Sequence, residues 1–529
     1  MAALRRLAAE STRKAPASVI GSPRVFFRYI RRKLPPDFHL PAGSDCAQMF
    51  TEQLRRATLR GPDRIALFDN DAAVSYAQLD RSVHRLAGAM LQSGIVPGDR
   101  VGLTLRNACH HLIAALALMR IGCAHVILAT HDPRPVRAEL AARCRLSCVV
   151  ADQSSDAPDQ VSLLVPDFDR VFADAGLDRT SLPSVENESV ALLATSSGST
   201  GRAKIVPLTQ RQLYNQTLAA NWPQSPQTLC CPISVQFYAG QRQHLQMLCL
   251  GHATVLWDRV KVSLVEAFSR HGVTVASLSS AQARGLVDEA RNNSTGPLLP
   301  HVRMRLFGSL IGQTLREAIR ETVTPNFEVI YGATECGLIA WAGPEAEQEG
   351  PGWLGRPQAG ISVEVLDDDG RQLAPGETGT FRIRTPGMVD GYFDDDALTA
   401  KMFRNGWFYP GDVGRLTSDG LLFLDGRADD IMNLSGVKVS PAEIQAVAEA
   451  FPGVIDCVAF PLRSAVHGDV PLLAVAADSG MDVAALLKYC RDRLGIRAPR
   501  RILRLDRLPR NAAGKIDYRE LQILVSTNS

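Results

Sequence analysis

The sequence has 529 residues, of which 46% are hydrophobic and 21% charged, and its formal net charge is +3. This composition is typical of a globular chain with two to four domains. The balanced charge gives no support for a nucleic-acid partner, and the absence of a long apolar run argues against a membrane span.

The eleven cysteines are scattered, and none forms a CxxC pair or a ligand pattern with histidines. Free thiols in a reducing compartment are therefore expected, which favours a cytoplasmic protein. Residues 1–40 form a basic N-terminal arm, with nine Lys or Arg against one acid between positions 5 and 33. Three interpretations of this arm stay open: a solvated extension, an organellar transit peptide, and a helix on a membrane surface.

Strand and helix patterns alternate through the first half of the chain. Strands are predicted at 63–68, 100–105, 125–129 and 190–194, and helices at 75–92 and 110–119. This alternation predicts doubly wound α/β layers.

The second half has a strand and turn at 232–238, a helix at 241–250, and strands at 302–307 and 327–330. Beyond residue 355, short strands separated by turns predict a β-rich subdomain, and the last hundred residues read as an α+β module. The expected fold class is therefore α/β. A large N-terminal domain, 41–426, combines the doubly wound layers with the β-rich subdomain, and a small mobile α+β domain spans 427–529.

A segment rich in glycine and hydroxyl side chains follows the strand at 190–194. Glycines let successive N–H groups turn towards one anion, hydroxyls add neutral donors, and a terminal lysine supplies charge. Taken alone, such a segment is compatible with a flexible surface loop as well as with a polyphosphate site. The candidate phosphate ligands are Thr195, Ser196, Ser197, Gly198, Ser199, Thr200, Gly201 and Lys204.

Five segments together carry a family resemblance. In their order and spacing, the sequence resembles the adenylate-forming enzymes: acyl-CoA and aryl-CoA ligases, peptide-synthetase adenylation domains and luciferases. The resemblance covers roughly residues 50 to 525 and is most like an acyl-CoA ligase. The segments are 195–204, 331–335, 407–412, 426–436 and 509–515.

The resemblance implies an ATP site built mainly from strand ends. Thr334 would contact the α-phosphate, and Glu335 would hold Mg²⁺, a hard cation that prefers oxygen ligands. Asp412 would accept the ribose hydroxyls, with Arg427 in support. Tyr331 would stack on adenine. The remaining implied ATP contacts are Gly308, Ser309, Gly332 and Ala333.

The resemblance also implies a moving C-terminal domain. Lys515 would bridge the attacking carboxylate and the α-phosphate and then withdraw. The pivot would be Asp429, and Ser435 with Gly436 would approach the site in the thiol-transfer state, where a glycine leaves room for a pantetheine arm.

Three positions depart from the usual family residues. Pro410 replaces a threonine and so removes a hydroxyl and an N–H. Asn433 replaces a lysine, and Gln236 stands near a frequent histidine. Gln236 and Phe237 are expected at the wall of the acyl pocket, with Gly251, Gly308, Gly332 and Ala333 around it.

These features predict an AMP-forming acid–thiol ligase. It would use ATP and Mg²⁺ to convert a small-molecule carboxylic acid to acyl-AMP and would then pass the acyl group to coenzyme A. Two alternatives stay open: a free-standing adenylation enzyme that loads a carrier protein, and a nucleotide-binding homologue without catalysis.

Overall fold

The computed structural model describes residues 49–158, 161–173, 180–196, 203–223, 225–257, 262–293, 297–308, 311–344, 350, 352–430, 432–434, 437–464, 468–510 and 515–527. The basic arm at 1–40 lies outside these residues. No helix in the described ranges is long and apolar enough to cross a membrane.

The elements up to residue 256 alternate as the sequence predicts. In chain order they are α1 (Phe50–Arg60), β1 (Ile65–Asp69), β2 (Ala72–Ser75), α2 (Tyr76–Gln92), β3 (Arg100–Thr104), α3 (Ala108–Arg120), β4 (Ala124–Ile127), α4 (Arg134–Cys144), β5 (Cys148–Ala151), β6 (Ser162–Leu164), α5 (Phe168–Phe172), β7 (Val190–Ser196), β8 (Lys204–Thr209), α6 (Gln210–Ala219), β9 (Thr228–Cys230), α7 (Tyr238–Leu250) and β10 (Ala253–Leu256).

The elements after residue 256 contain more antiparallel structure. In chain order they are α8 (Leu264–Arg270), β11 (Val275–Leu278), α9 (Ser280–Asn293), β12 (Arg303–Phe307), α10 (Gln313–Ala318), β13 (Phe327–Ala333), β14 (Gly337–Ala342), β15 (Trp353–Pro357), β16 (Ser362–Leu366), β17 (Thr378–Arg384), α11 (Asp396–Met402), β18 (Phe403–Arg404), β19 (Trp407–Phe408), β20 (Asp412–Leu416), β21 (Leu422–Arg427), β22 (Met432–Leu434), β23 (Val437–Val439), α12 (Pro441–Glu449), β24 (Val454–Ser464), β25 (Gly468–Ala477), α13 (Val483–Leu494), β26 (Arg501–Leu505) and α14 (Tyr518–Thr527).

Two sheets form the large domain. The first has the order β6-β5-β3-β4-β7-β8, parallel except for β8. The second has a parallel centre, β1-β10-β9-β11-β12-β13, and continues through β14 and β15 into the antiparallel strands β16 to β21. Helix α3 is buried along most of its length, as expected for a helix that is apolar on all sides. The predicted α/β class and the β-rich subdomain are confirmed.

The described residues from Met432 onwards form a third sheet, in which β22, β24 and β26 all pair with β25. One hydrophobic cluster between this sheet and helices α12 and α13 contains Ile444, Leu473 and Leu486. A second cluster, on the side of α14, contains Phe460 and Leu521. A separate C-terminal domain needs a sheet and a hydrophobic core of its own, and this part of the chain has both. The exact boundary near residue 427 stays a prediction.

Local sequence signals account for several element boundaries. Ser75 accepts a hydrogen bond from the Gln78 N–H, and the Gln78 side chain accepts one from the Ser75 N–H, so a capping box begins α2 where the sequence predicts. Helix α7, however, begins at Tyr238 rather than at 241. Gly240 serves packing in its first turn, since an added Cβ would lie 2.3 Å from the Ile233 carbonyl oxygen.

The cysteines of the described residues are free and buried. This agrees with the expectation of unpaired thiols. Burial raises the pKa of Cys109 and of Cys231 to about 12, so both remain neutral thiols at physiological pH.

Candidate functional site

The glycine-rich segment connects β7 and β8, which pair as an antiparallel hairpin with Ser196 opposite Lys204. β7 also runs parallel to β4, so Thr195 and Ser196 lie at the carboxyl edge of the first sheet. Parallel sheets commonly bind ligands at this edge. The predicted ligands Ser197, Gly198, Ser199, Thr200 and Gly201 lie outside the described residues.

Lys204 and Glu335 lie on either side of one tyrosine. The Tyr392 hydroxyl donates a hydrogen bond of 2.8 Å to Oε1 of Glu335, and the Lys204 ammonium lies 5.4 Å from the centroid of the Tyr392 ring. Burial lowers the pKa of Lys204, while the negative charge of Glu335 raises it. The structure therefore places two motifs separated by about 130 residues in one charged cluster.

The Tyr392 contact is a part of the site that the sequence reasoning missed. Tyr392 is held in turn by Thr399, whose hydroxyl accepts a hydrogen bond of 2.9 Å from the Tyr392 N–H. The Val389 N–H donates to the Glu335 carbonyl at 2.9 Å, which ties the same loop to the end of the β13 strand. A single tyrosine in a loop gives no periodic signal, so only the three-dimensional contact identifies it.

Glu335 follows β13 in a hairpin whose close approach requires glycine. A Cβ added to Gly332 would lie 2.4 Å from the Gly337 carbonyl oxygen on β14. The Thr334 carbonyl accepts a hydrogen bond from Gln216, which anchors the turn to α6. Gly308 ends the neighbouring strand β12 with a φ of +93°, so both strand ends reach the same edge. Ser309 lies outside the described residues.

Asp412 lies between two protein donors. The Tyr331 hydroxyl donates to its Oδ2, and Arg427 lies 3.3 Å from its Oδ1 in the facing register of β20 and β21. Burial raises the pKa of Asp412, while the hydrogen bond from Tyr331 and the charge of Arg427 lower it. Each carboxylate oxygen keeps a second lone pair for a ligand hydroxyl. Adenine stacking by Tyr331 stays a prediction.

The proline at position 410 retains one useful polar atom. Arg427 donates a hydrogen bond of 2.7 Å to the Pro410 carbonyl, in addition to its contact with Asp412. Gly411 between them has a φ of +80°, which favours glycine. The departure from threonine therefore leaves the Asp412–Arg427 pair intact.

Lys515 reaches the same cluster from the connection between β26 and α14. Burial lowers its pKa, the positive charge of Arg427 lowers it further, and the charge of Glu335 raises it. The residue itself is exposed to solvent. The structure thus brings together Lys204, Glu335, Asp412, Arg427 and Lys515.

The segment after Arg427 leads directly to the third sheet. The Ala428 N–H donates to the Gly411 carbonyl at 2.7 Å, and the Asp430 N–H donates to the Arg427 carbonyl at 3.0 Å. Asp429 between them is exposed. Its role as a pivot stays a prediction, and Ser435 and Gly436 lie outside the described residues.

Ion pairs and hydrogen bonds join the third sheet to the large domain. Asp456 pairs with Arg284 of α9 at 2.9 Å and with Arg510 at 2.6 Å. The Thr314 hydroxyl donates to the Glu449 carbonyl at 3.1 Å. Burial raises the pKa of Glu449 to about 7, with Arg284 opposing the shift. These contacts hold the two parts in the arrangement that brings in Lys515.

Gln236 and Phe237 lie immediately before α7. Gln236 accepts hydrogen bonds from the Thr130 N–H and hydroxyl, and donates to the Leu105 carbonyl, so it fastens strand ends of the first sheet together. Phe237 contacts the His131 ring, with centroids 4.9 Å apart. Their place at the pocket wall stays a prediction.

The expected position of Gly251 near the acyl pocket is wrong. Gly251 ends α7, a helix of 13 residues, at the end opposite to Phe237. At 1.5 Å per residue the two ends are about 20 Å apart. The Gly251 carbonyl accepts a hydrogen bond from Arg64, and its φ of +83° explains the glycine as a helix C-cap.

Comparison with known families gives one match across most of the large domain: the model of the AMP-binding enzyme family matches residues 54–393. The chain belongs to this family. The match confirms the resemblance predicted from the five segments. The matched range includes Lys204, Glu335 and Tyr392, whereas Asp412, Arg427 and Lys515 lie beyond it.

Full-length relatives of this AMP-binding enzyme include CoA ligases. The 2-succinylbenzoate–CoA ligase of Bacillus subtilis is 27% identical over 486 residues, covering 90% of this chain and 98% of that one. The 3-hydroxybenzoate–CoA ligase of Aromatoleum sp. is 28% identical over 500 residues, covering 88% and 94%. Their names agree with the predicted acid–thiol ligase class.

Solved structures share the fold. An amide bond synthetase from Marinactinospora thermotolerans has a TM-score of 0.80 at 24% identity, covering 90% of this chain and 99% of that one. The O-succinylbenzoate coenzyme A synthetase of Bacillus subtilis, in complex with ATP and magnesium ion, has a TM-score of 0.78 at 24% identity, covering 89% and 99%. The two-domain fold of these proteins agrees with the predicted fold class.

The residues present in this AMP-binding enzyme fit a magnesium nucleotide. Glu335 is 6% exposed, and its carboxylate keeps acceptor capacity beyond the bond from Tyr392. Within the described ranges, no group of three or more His, Cys, Asp or Glu residues could hold a metal by themselves. One carboxylate combined with phosphate oxygens is a common Mg²⁺ environment in phosphoryl-transfer sites, so Glu335 suits this ion.

Proposed function

We propose that this AMP-binding enzyme activates a carboxylic acid with ATP, releases pyrophosphate, and transfers the acyl group from acyl-AMP to coenzyme A. The observation that carries the proposal is the convergence of Lys204, Glu335 and Lys515, three charged residues from distant segments, on one cluster. An acid and a nucleotide phosphate repel each other, so such a reaction needs charge neutralisation and alignment more than covalent catalysis.

The ATP end of the site has separate groups for each part of the nucleotide. The β7–β8 hairpin, with Thr195, Ser196 and Lys204 at its described ends, would grip the β- and γ-phosphates. Asp412 with Arg427 would hold the ribose, and Thr334 would contact the α-phosphate. Mg²⁺ bound at Glu335 would supply charge neutralisation to the phosphates.

Lys515 would act on the reacting atoms. An ammonium between the attacking carboxylate oxygen and the α-phosphate stabilises charge that shifts as the acyl–phosphate bond forms. Burial and the positive charge of Arg427 lower the pKa of Lys515, and the negative charge of Glu335 opposes this shift. Because Lys515 belongs to the small domain, rotation at Asp429 would remove it after adenylation.

Rotation would then bring the segment with Ser435 and Gly436 towards the acyl-AMP, where coenzyme A would attack. Gln236 and Phe237 would border the acyl pocket on the opposite side. Two relatives are named for a succinylbenzoate and a hydroxybenzoate, which supports a carboxylic acid that carries a ring.

We also propose a cytoplasmic location, supported by the free thiols of the described residues.

The test is a two-stage assay on the full chain. In the first stage, a panel of aliphatic, aryl and amino acids is incubated with ATP and Mg²⁺, and pyrophosphate exchange and AMP formation are measured. In the second, coenzyme A is added and the thioester is identified by mass. Adenylate without a coenzyme A thioester would favour a carrier protein as acceptor. ATP binding without pyrophosphate exchange for any acid would favour a homologue without catalysis.

A further inference from the structure

The first turn of α7 carries a cation that the proposed chemistry does not use. Arg242 lies one turn after Tyr238, and its guanidinium carbon is 5.9 Å from the centroid of the Tyr238 ring. The Arg242 Nε is buried and has no hydrogen-bond partner among the described residues, and the Tyr238 hydroxyl is buried beside the Arg242 side chain. A buried donor without a protein partner requires an explanation, and a bound ligand, ion or water molecule can provide one.

This pair lies beside the proposed catalytic cluster. Burial raises the pKa of Tyr238, the charge of Arg242 and a hydrogen bond with its side chain lower that pKa, and the charge of Glu335 raises it, so Arg242 and Glu335 both lie near Tyr238. Phe237, the residue that precedes α7, packs against the same buried cluster as Phe307 at the end of β12. The first turn of α7 therefore borders the space next to the strand ends where an acid would be held.

The surroundings of Arg242 have an excess of positive charge. Arg305 is 3% exposed, stacks on Trp222 at 3.9 Å, and has a pKa lowered to about 10 by burial, with Arg242 adding to the effect. Glu328 neutralises one charge only, and it is shared between Arg305 and Arg303. No carboxylate of the described residues pairs with Arg242 within 4 Å, so an additional anion would be favourable here.

We propose that Arg242 is a specificity-determining residue that binds a second carboxylate, or a comparable anionic group, on the acid substrate. The substrate class is then a dicarboxylic acid in which one carboxylate is activated and the other is held by the α7 guanidinium. A planar guanidinium can bind a carboxylate through two parallel hydrogen bonds, and the Tyr238 hydroxyl is available as a third donor. This inference deepens the proposed function and rests on it.

The test compares matched acid pairs: hexanoate with adipate, benzoate with each benzenedicarboxylate, and phenylacetate with each carboxyphenylacetate. Binding to the full chain is measured by calorimetry with a non-hydrolysable ATP analogue and Mg²⁺, and AMP formation is measured separately. The wild type should bind at least one dicarboxylate about tenfold or more tightly than its partner, the size expected for charge-assisted hydrogen bonds. Arg242→Gln should abolish this preference and leave the monocarboxylate affinity within about threefold.

Arg242→Lys keeps the positive charge but not the planar guanidinium, so it should retain part of the preference for the dicarboxylate. Partial retention would also show that the loss in Arg242→Gln is not caused by misfolding. The matched control is Arg270→Gln, because Arg270 is an exposed arginine paired with Asp71 and Glu266, and this change should leave the preference intact. The inference is overturned if the wild type prefers no dicarboxylate, or if Arg242→Gln weakens both members of a pair equally. Selective binding without AMP formation would instead count against the proposed function alone.

Discussion

Tyr392 donates a hydrogen bond to Glu335 while the face of its ring lies 5.4 Å from the Lys204 ammonium. One side chain thus orients the carboxylate proposed to hold Mg²⁺ and contacts the lysine proposed to grip the phosphates. The hydroxyl can be removed without changing the ring, so the two contacts are separable.

Tyr392→Phe should raise the Mg²⁺ concentration needed for half-maximal pyrophosphate release about tenfold, since a hydrogen bond to a charged group contributes about 1.5–3 kcal/mol. Calorimetric binding of the Mg²⁺–nucleotide complex should weaken in parallel. Tyr489→Phe is the matched control, because that ring packs on Phe451 in the small domain. An unchanged Mg²⁺ midpoint would contradict a positioning role for Tyr392.

Lys515→Ala should separate the two half-reactions. Loss of the ammonium from the cluster of Glu335 and Arg427 should reduce adenylate formation by about a hundredfold or more, as for the removal of an oxyanion donor. Thioester formation from supplied acyl-AMP should fall by no more than a few fold. Each step is measured in single-turnover experiments, and equal losses in both would argue against a lysine that leaves between them.

Asp456→Asn should weaken the arrangement in which Lys515 is present. It removes the charge that Arg284 and Arg510 share, and breaking a partly buried network costs about 1–3 kcal/mol. Adenylation should therefore slow by about fivefold or more, while the thioester step proceeds at its usual rate or faster. Asp492→Asn is the control, as it breaks only an exposed pair with Lys488. A loss confined to the thioester step would contradict this role.

His111 should make the large domain sensitive to acid. It is fully buried, neither ring nitrogen has a hydrogen-bond partner in the described ranges, and burial lowers its pKa to about 3. The unfolded chain binds a proton near pH 6.5, so this contribution to stability is complete above pH 6.5 and is lost as the pH falls towards 3.

His111→Leu should therefore flatten the pH dependence of unfolding by about 1.4 kcal/mol per pH unit between pH 6 and 4. At pH 7.5 the variant should be at least as stable as the wild type, because it replaces a buried polar ring that lacks partners. The measurement is the free energy of unfolding from denaturant titrations at pH 4, 6 and 7.5. The control is His301→Asn, because His301 is exposed. A steeper acid transition in His111→Leu would refute the assignment.

Sequence motifs predicted Lys204, Glu335, Asp412, Arg427 and Lys515, and the structure brings all five together. Local rules also predicted α2, because its capping residues and apolar spacing are contained within that segment. Tyr392 was not predictable in this way, since it acts through a contact with a residue 57 positions away. Gly251 was misplaced for a related reason: a helix C-cap and a pocket glycine look alike until the helix direction is known.

The burial of the cysteines has a practical value for testing the proposed rotation at Asp429. Ten of the eleven thiols are enclosed by protein, and Cys46 is the one outside the described residues. With Cys46 replaced, cysteines introduced at exposed positions such as Glu266 and Lys488 would be the ones that maleimide dyes or spin labels reach first. Replacing Cys46 alone would therefore give a protein suitable for measuring distances between labels on the large and small domains.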